Sequence, residues 1–536
     1  MKSFFYLIIC LLIGLIFLTQ CNEKSAPINK NFVSIKDNKF FVNDSLYFPI
    51  MLNYVICIRE IDKTPVVSSL KQYENPDIYE ANNLIENETQ LRGHLQLIKD
   101  MGFNSIRLVF DRMGTDSIGF YYGEDKRYYI NNDYESILNA MENYLKIVSE
   151  YDLKVMFLIR RPVENKDLEN FTIKILTRFK DITTIFAYDF FNEPLYFDNI
   201  DKPSGKMFRE KKDAIEIVEN WAKMIDKYAP NQLLTIGFSE PLEVFEWDPS
   251  VLPVDFIAFH TYNPLRVPNE IYWYSKYTNK PWMIGETALP ADNDSIPYEH
   301  QQLFMREVYQ RIIDCNGAGL GWWEFQELNY SHFEAKYTGL LNHEAITTTK
   351  DGKYKIIGTV KPAVKEIENF IKYKKKDCDC KSNYYNMIGY KNIVLTGKII
   401  NETTNKPVEG AVIRGWNESW SVGQNTFSDK DGNFTLYSND ICTHFEISAP
   451  GMTNTKFDKK VEYTPTSSHN IKIENLPNKD LEYHKISYMP FLLNKVENQD
   501  SITNIQNYIF NFEKSLFSKS LFKGDLGVQK LMKINN

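Results

Sequence analysis

At 536 residues the chain is longer than one ordinary domain, and roughly two or three are expected. A hydrophobic share of 43% and a charged share of 25% are those of globular protein, and a net charge of −8 excludes the basic footprint of a nucleic-acid binder. Aromatic residues make up 14%, which suits either large aromatic cores or flat platforms in a sugar cleft.

The first element in chain order is an address. Lys2 precedes an apolar run from Phe4 to Leu18, short of the ~20 residues a spanning helix needs, so it reads as a secretory signal. Cys21 stands at its end, in Thr19-Gln20-Cys21, and resembles the lipobox cysteine of bacterial lipoproteins. That resemblance implies a lipid on Cys21 and a place in the bacterial cell envelope, periplasmic or surface-exposed. Residues 22–39 would be a tether. Of the seven cysteines, Cys10 leaves with the signal. Cys57, Cys315, Cys378, Cys380 and Cys442 do not make a disulfide framework, and Cys378-Asp379-Cys380 has the wrong spacing for zinc and reads as incidental.

Between residues 40 and 372, eight apolar strand candidates alternate with helical patterns. The strands are 48–54, 105–110, 154–159, 185–191, 233–238, 256–259, 282–284 and 320–325. Helices at 91–101 (Leu91, Leu95, Ile98), 134–150 (Ile137, Met141, Leu145, Val148), around 215–225, at 298–313 and at 362–371 carry apolar residues at helical spacing. Those of the fifth and sixth units, near 242–247 and 270–277, are short. Residues 55–90 show no period and are expected as a loop walling one end of a cleft. Alternation of this kind predicts parallel strands, and eight of them predict an α/β fold, a closed (β/α)8 TIM barrel whose working groups sit at the strand ends.

Two strand-like runs end on glutamates, Asp189-Phe190-Phe191-Asn192-Glu193-Pro194 and Met283-Ile284-Gly285-Glu286-Thr287. With Arg107 on the second strand, His260-Thr261-Tyr262 after the sixth and Trp322-Trp323 on the eighth, they resemble the clan of retaining barrel glycosidases that includes the cellulase and mannanase family. The resemblance covers about residues 40–372. It implies hydrolysis of a β-linked polysaccharide or oligosaccharide, of β-mannan or β-glucan type, with no metal or organic cofactor. Retaining hydrolysis needs one protonated carboxylic acid and one carboxylate about 5–5.5 Å apart. Glu193 would be the acid and Glu286 the nucleophile. Arg107 would hold a carboxylate charged and oriented, and Tyr262 would donate to the same carboxylate. Asn192 would bind the sugar 2-hydroxyl and His260 would line the floor on the leaving-group side. Strand alternation lets only one of Trp322 and Trp323 face the site; Trp322, which comes first, is taken as the sugar platform. Asp111, Glu240, Glu324 and Glu327 are rival carboxylates near strand ends. Arg160 and Arg161 stand where these enzymes often carry a histidine, which leaves room for a decorated or acidic glycan. Two other readings remain, an exo-acting β-glycosidase and a glycan-binding lipoprotein without turnover.

After a Lys-rich linker at 373–390, residues 391–476 turn to short alternating strands with Gly, Pro and Asp turns, which predicts a small all-β sandwich. The Asp429-Lys430-Asp431-Gly432-Asn433-Phe434 piece resembles the carboxypeptidase-regulatory-like domain. Asp429 and Asp431 fit a tight hairpin turn rather than a calcium site. Trp416 and Trp420 could bind sugar, and core packing is the reading preferred for both. Residues 477–536 carry amphipathic fragments that would pack back on the barrel, with no assigned task.

Overall fold

The computed structural model describes residues 31–69, 81–110, 120–122, 128–130, 134–159, 166–198, 209–264, 266–328, 333–370, 380, 393–421, 423–438, 440–471 and 518–534. Cys21, Asp111, Arg160, Arg161 and Cys378 lie outside these residues.

The chain enters through a three-stranded antiparallel sheet of β1 (Val33–Lys36), β2 (Lys39–Val42) and β3 (Ser45–Tyr47). Its first strand falls in the stretch expected to be tether. Val33 and Phe40 pack with Met51, Met156, Phe186, Phe256 and Met283 into a cluster that plugs the barrel floor. Each such side chain contributes about 1.5–3 kcal/mol on burial, which is why this segment is folded.

Then follow β4 (Ile50–Ile61), β5 (Thr64–Ser69), α1 (Leu84–Asp100), β6 (Ser105–Phe110), the short pair β7 (Phe120–Tyr122) and β8 (Tyr128–Ile130), α2 (Tyr134–Glu150), β9 (Lys154–Leu158), α3 (Lys166–Phe179) and β10 (Ile185–Asn192). Next come α4 (Pro194–Phe197), α5 (Lys211–Tyr228), β11 (Leu233–Phe238), β12 (Ile257–His260), α6 (Val267–Tyr277), β13 (Trp282–Glu286), α7 (Tyr298–Asp314) and β14 (Leu320–Trp322). The small elements α8 (Phe333–Lys336), β15 (Ile346–Thr348), β16 (Lys355–Ile357) and α9 (Val364–Asn369) end this part. Strands β4, β6, β9, β10, β11, β12, β13 and β14 pair in parallel, and β14 pairs back to β4. The eight strands therefore close, as expected, into an α/β barrel.

The stretch after strand one differs from the expected loop. Strand β4 continues to Ile61, turns at Asp62-Lys63, both at positive φ, and returns antiparallel as β5. Two left-handed residues at a two-residue turn match the twist of a hairpin. Helix α1 then starts at Leu84 because Asn83 caps it, accepting from the Glu86 N–H at 3.0 Å. That cap outruns the apolar stripe from which the start at 91 was read.

The C-terminal part holds β17 (Ile393–Asn401), β18 (Val412–Asn417), β19 (Gly423–Phe427), β20 (Asn433–Ser438), β21 (Cys442–Ser448), β22 (Thr455–Asp458), β23 (Tyr463–Ile471) and β24 (Ser518–Leu531). They form two four-stranded sheets, β20-β17-β24-β23 and β19-β18-β21-β22. Leu395, Ile399, Phe434, Leu436 and Leu526 of one sheet meet Ile413, Phe445 and Ile447 of the other in a single core. Strand β24 is a departure from the expected boundary at 476. Instead of packing on the barrel, it lies between β17 and β23, parallel to the first and antiparallel to the second. Leu526 and Leu531 are the apolar residues that seat it. Asp429 accepts from the Asp431 and Asn433 N–H groups, both at 2.9 Å, and Gly432 has a positive φ, so this is a tight turn.

The two parts share a polar, well-satisfied seam. Buried Lys211 donates to Asp248 at 3.0 Å and to the carbonyls of Ala449 and Met452 at 3.1 and 2.7 Å. Trp273 donates to Gly410 O at 2.9 Å, and Asn454 donates to Phe245 O at 2.5 Å. A further link contradicts the reading of Cys380 as incidental: Cys315, at the end of α7, is disulfide-bonded to Cys380 across 65 residues. Closing a loop of that length contributes about 2–4 kcal/mol. Spacing along the chain could not show it, because the partners meet only once α7 has docked.

Candidate active site

The barrel interior changes character two residues up each strand. Inward-facing Met51, Ser105, Ala187, Ala258 and Met283 belong to the floor. The next inward positions are Asn53, Arg107, Asp189, His260 and Gly285, and all of them except Gly285 are polar or charged. Arg107 is fully buried and uses its whole fork. Nε donates to Asp189 Oδ2 at 2.9 Å, Nη1 to Asn53 Oδ1 at 3.0 Å and to Glu286 Oε1, and Nη2 to Asn192 Oδ1 at 2.8 Å. Asp189 accepts in turn from the Gly237 N–H at 2.9 Å, and Asn53 donates to the Gly285 and Trp322 carbonyls, both at 3.0 Å. A buried charge is tolerated only when paired and hydrogen-bonded in this way.

Both glutamates are aimed by irregular backbone. Pairing of β10 with β11 shifts register between Asp189 and Asn192, and pairing of β12 with β13 shifts at His260 opposite Glu286. Bulges of this kind re-aim a side chain at a strand end. Glu193 itself sits in the left-handed region (φ 49°, ψ 69°), its N–H donates to Gly237 O at 2.6 Å, and Pro194 opens α4 behind it. A non-glycine residue there costs on the order of 1–3 kcal/mol, and such strain concentrates at functional sites.

The result brings the sequence-predicted residues together. His260 Nδ1 lies 2.8 Å from Glu193 Oε1 and 3.6 Å from Glu286 Oε2. Tyr262 O–H donates to Glu286 Oε2. One oxygen each from Glu193 and Glu286, with a His260 nitrogen, lie within 4.8 Å of one another. Burial alone raises the Glu286 carboxyl, but the His260 and Arg107 charges and the Tyr262 and Arg107 hydrogen bonds outweigh it and hold it below the usual glutamate range. Burial and the Glu286 charge raise the Tyr262 hydroxyl, which therefore stays protonated and donates. The three-residue group offers cation-ligand atoms, yet the Arg107 charge on the same carboxylate opposes a metal ion there.

The tryptophan assignment is corrected. Trp322 is fully buried, points outward from the strand and donates Nε1–H to Thr338 O at 3.1 Å. Trp323 is the half-buried one and packs on Val55, Val109, Leu158 and Leu328 at the mouth. The alternation rule held; the starting face was taken wrongly, because Gly321, the inward residue below, has no side chain to mark it. Of the rival carboxylates, Glu240 is held by Arg266 at 2.8 Å and by Tyr196 O–H at 3.0 Å. Glu327 pairs with Lys361 at 2.6 Å, and Glu324 is buried.

Five residues of the site were missed. Asn53 and Asp189 stand out only as polar interruptions of apolar strands, and that signal was available. Gly237 and Gly285 flank the imidazole: a Cβ at Gly237 would lie 2.8 Å from His260 Nε2, and one at Gly285 3.0 Å. Glu243 was passed over as well. It accepts from the Leu195 N–H and the Ser239 N–H, both at 3.1 Å, and from Ser239 O–H at 2.8 Å. This ties the loop after β11 to the turn that carries Glu193. Burial pushes its carboxyl up to about 8.

No family model and no curated protein matches the chain. Among solved structures, the endo-1,4-β-mannanase from Rhizomucor miehei aligns at 13% identity over 63% of this chain and 99% of its own, with a TM-score of 0.42. An endocellulase from Pyrococcus horikoshii aligns at 17% identity over 63% and 98%, TM-score 0.40. A family 1 β-glucosidase from Thermotoga maritima aligns at 9% identity over 62% and 98%, TM-score 0.40. At such identities neither substrate nor residue roles transfer.

Proposed function

We propose that the chain is a retaining β-glycoside hydrolase acting on a β-linked polysaccharide or its oligosaccharides, of β-mannan or β-glucan type. The observation that carries this reading is the pair of opposed carboxylates, Glu193 and Glu286, with oxygens inside 4.8 Å and unlike surroundings. Separation of this order leaves no room for a water between sugar and nucleophile, which favours double displacement over inversion. In the first step a Glu286 oxygen attacks the anomeric carbon while Glu193 gives its proton to the leaving oxygen. In the second, Glu193 takes a proton from water, the water oxygen bonds the anomeric carbon and Glu286 is released as carboxylate. Arg107 and Tyr262 keep the nucleophile ionised between turnovers, and His260 fixes the acid. Asn192 binds the sugar 2-hydroxyl, a role supported by its anchoring on Arg107. Trp323 takes the platform role expected of Trp322.

The proposal includes export and anchoring through Cys21. The Cys315–Cys380 bond supports the export part, since structural disulfides persist in oxidising compartments.

The test is turnover of aryl β-glycosides. Glu193→Ala and Glu286→Ala are each expected to lower kcat by about 10²–10⁴-fold or more. A leaving group that needs no proton should restore the first step to Glu193→Ala and not to Glu286→Ala. A wild-type protein that binds oligosaccharides and never cleaves them would falsify the reading.

A further inference from the structure

The C-terminal sheets carry an aromatic plate that the barrel chemistry does not use. Trp416 on β18 pairs directly with His444 on β21, so both side chains rise from the same face of the sheet. On its other side Trp416 lies over Gly423, where a Cβ would come within 2.8 Å of the indole. Trp420, in the loop between β18 and β19, lies across the pair. Its ring is stacked on His444 at 4.3 Å between centroids and 17° between planes, and lies 5.1 Å from Trp416. The inner face of Trp420 is thus covered while 57% of the residue remains exposed, so the outer indole face looks into solvent. That exposure sets aside the preferred core reading of Trp420 and leaves its sugar-binding alternative.

The plate is built rather than accidental. Trp420 adopts a positive φ of 58°, an uncommon conformation for a bulky residue. Asn417 holds the loop in that shape: its Oδ1 accepts from the Ser421 N–H at 2.9 Å, and its Nδ2 donates to Ser421 Oγ at 3.0 Å and Asp440 Oδ2 at 2.9 Å. Beneath the ring, the Asp458 carboxylate accepts from His444 Nδ1 at 2.8 Å, and that hydrogen bond raises the His444 imidazole.

Glu418 and Ser419, two and one residues before Trp420, also wall a cleft of about 460 Å³ with Asp440, Ile441 and Thr443. Thr443 Oγ1 is itself buried and has no hydrogen-bond partner among the described residues. A flat apolar face beside oxygen acceptors matches a pyranose ring, which has an apolar C–H face and a rim of hydroxyl donors. The carboxylates of Glu418 and Asp440 repel an anionic sugar, so the match is to a neutral chain.

The plate is also coupled to the barrel. The Arg414 guanidinium lies 4.8 Å over Trp416 and 4.4 Å over Phe245, which ends the 3-10 turn (Pro241–Phe245) that follows β11 on the mouth side.

We propose that Trp420, with the adjoining Glu418–Thr443 cleft, is a second glycan-binding site that holds a neutral polysaccharide chain in fixed relation to the barrel mouth. The site stands on its own geometry and does not require hydrolysis. The test is native electrophoresis of the full chain, carrying Glu286→Ala, through gels containing β-mannan or β-glucan. Retardation is expected in at least one of them. Adding Trp420→Ala should weaken it about tenfold in apparent Kd, and Trp420→Phe should keep most of it. In the chain with Glu286 intact, Trp420→Ala should leave aryl β-glycoside turnover unchanged, which also reports that the variant folds. Equal retardation with and without Trp420, or no retardation of the parent chain in either gel, overturns the inference. Retardation that depends on Trp420 in a protein without turnover leaves this site standing and removes the hydrolase reading instead.

Discussion

The floor and the mouth of the barrel are built from the same eight strands by opposite means. At the floor, Met51, Met156, Ala187, Ala258 and Met283 close on Phe40 of the entry sheet and on Phe186 and Phe256, and packing does all the holding. One inward position higher, Arg107, Asp189, Asn53 and Glu286 replace that contact with charge and directed hydrogen bonds. Floor residues are interchangeable within their volume, because dispersion and water exclusion are non-directional. Mouth residues are not, because every nitrogen of the Arg107 fork has a specific acceptor, and Asn53, Asp189 and Glu286 among them are themselves buried. The barrel thus places its polar network on a base that does not depend on it.

Arg107→Met tests that contrast most severely. It leaves Asp189 and Glu286 buried without their counter-charge, and losing one partner of a buried pair costs about 3–5 kcal/mol. Thermal and denaturant unfolding should show that loss, together with loss of turnover. Met283→Ala cuts the floor instead. A buried Met→Ala change costs roughly 2–5 kcal/mol, and below the lowered Tm the variant should keep its kcat. A Met283→Ala protein that is stable but inactive would show that floor and mouth are not separable.

The smallest expected effect sharpens the electrostatics. In the proposed mechanism Glu286 must be ionised to attack, and its carboxyl is held below the usual range. The acid limb of kcat/KM should therefore lie below about pH 4.3, the ordinary glutamate value. The depressed carboxyl also stabilises the fold, with the contribution fully present above that value and lost as pH falls through the folded one. Tyr262→Phe removes a hydrogen bond to the ionised form, so the acid limb should move upward. A limb that stays in place would mean that Tyr262 does not act on Glu286.

Much of this was legible before any coordinates. Apolar strands separated by amphipathic helices imply a barrel, since each element must bury one face and only closure does so for all eight strands. That Arg107, Asn192, Glu193, His260, Tyr262 and Glu286 gather at one mouth was also legible, because they stand on or just after strands whose ends meet there. Tertiary structure alone decided the rest. The bulges that turn Glu193 and Glu286 inward, the glycines that make room for His260 and the choice of Trp323 over Trp322 depend on where neighbouring strands come to lie. The docking of β24 into the second sheet and the pairing of Cys315 with Cys380 join residues far apart in the chain. Local sequence carries periodicity and propensity; register, facing and long-range pairing exist only after packing has brought the partners together.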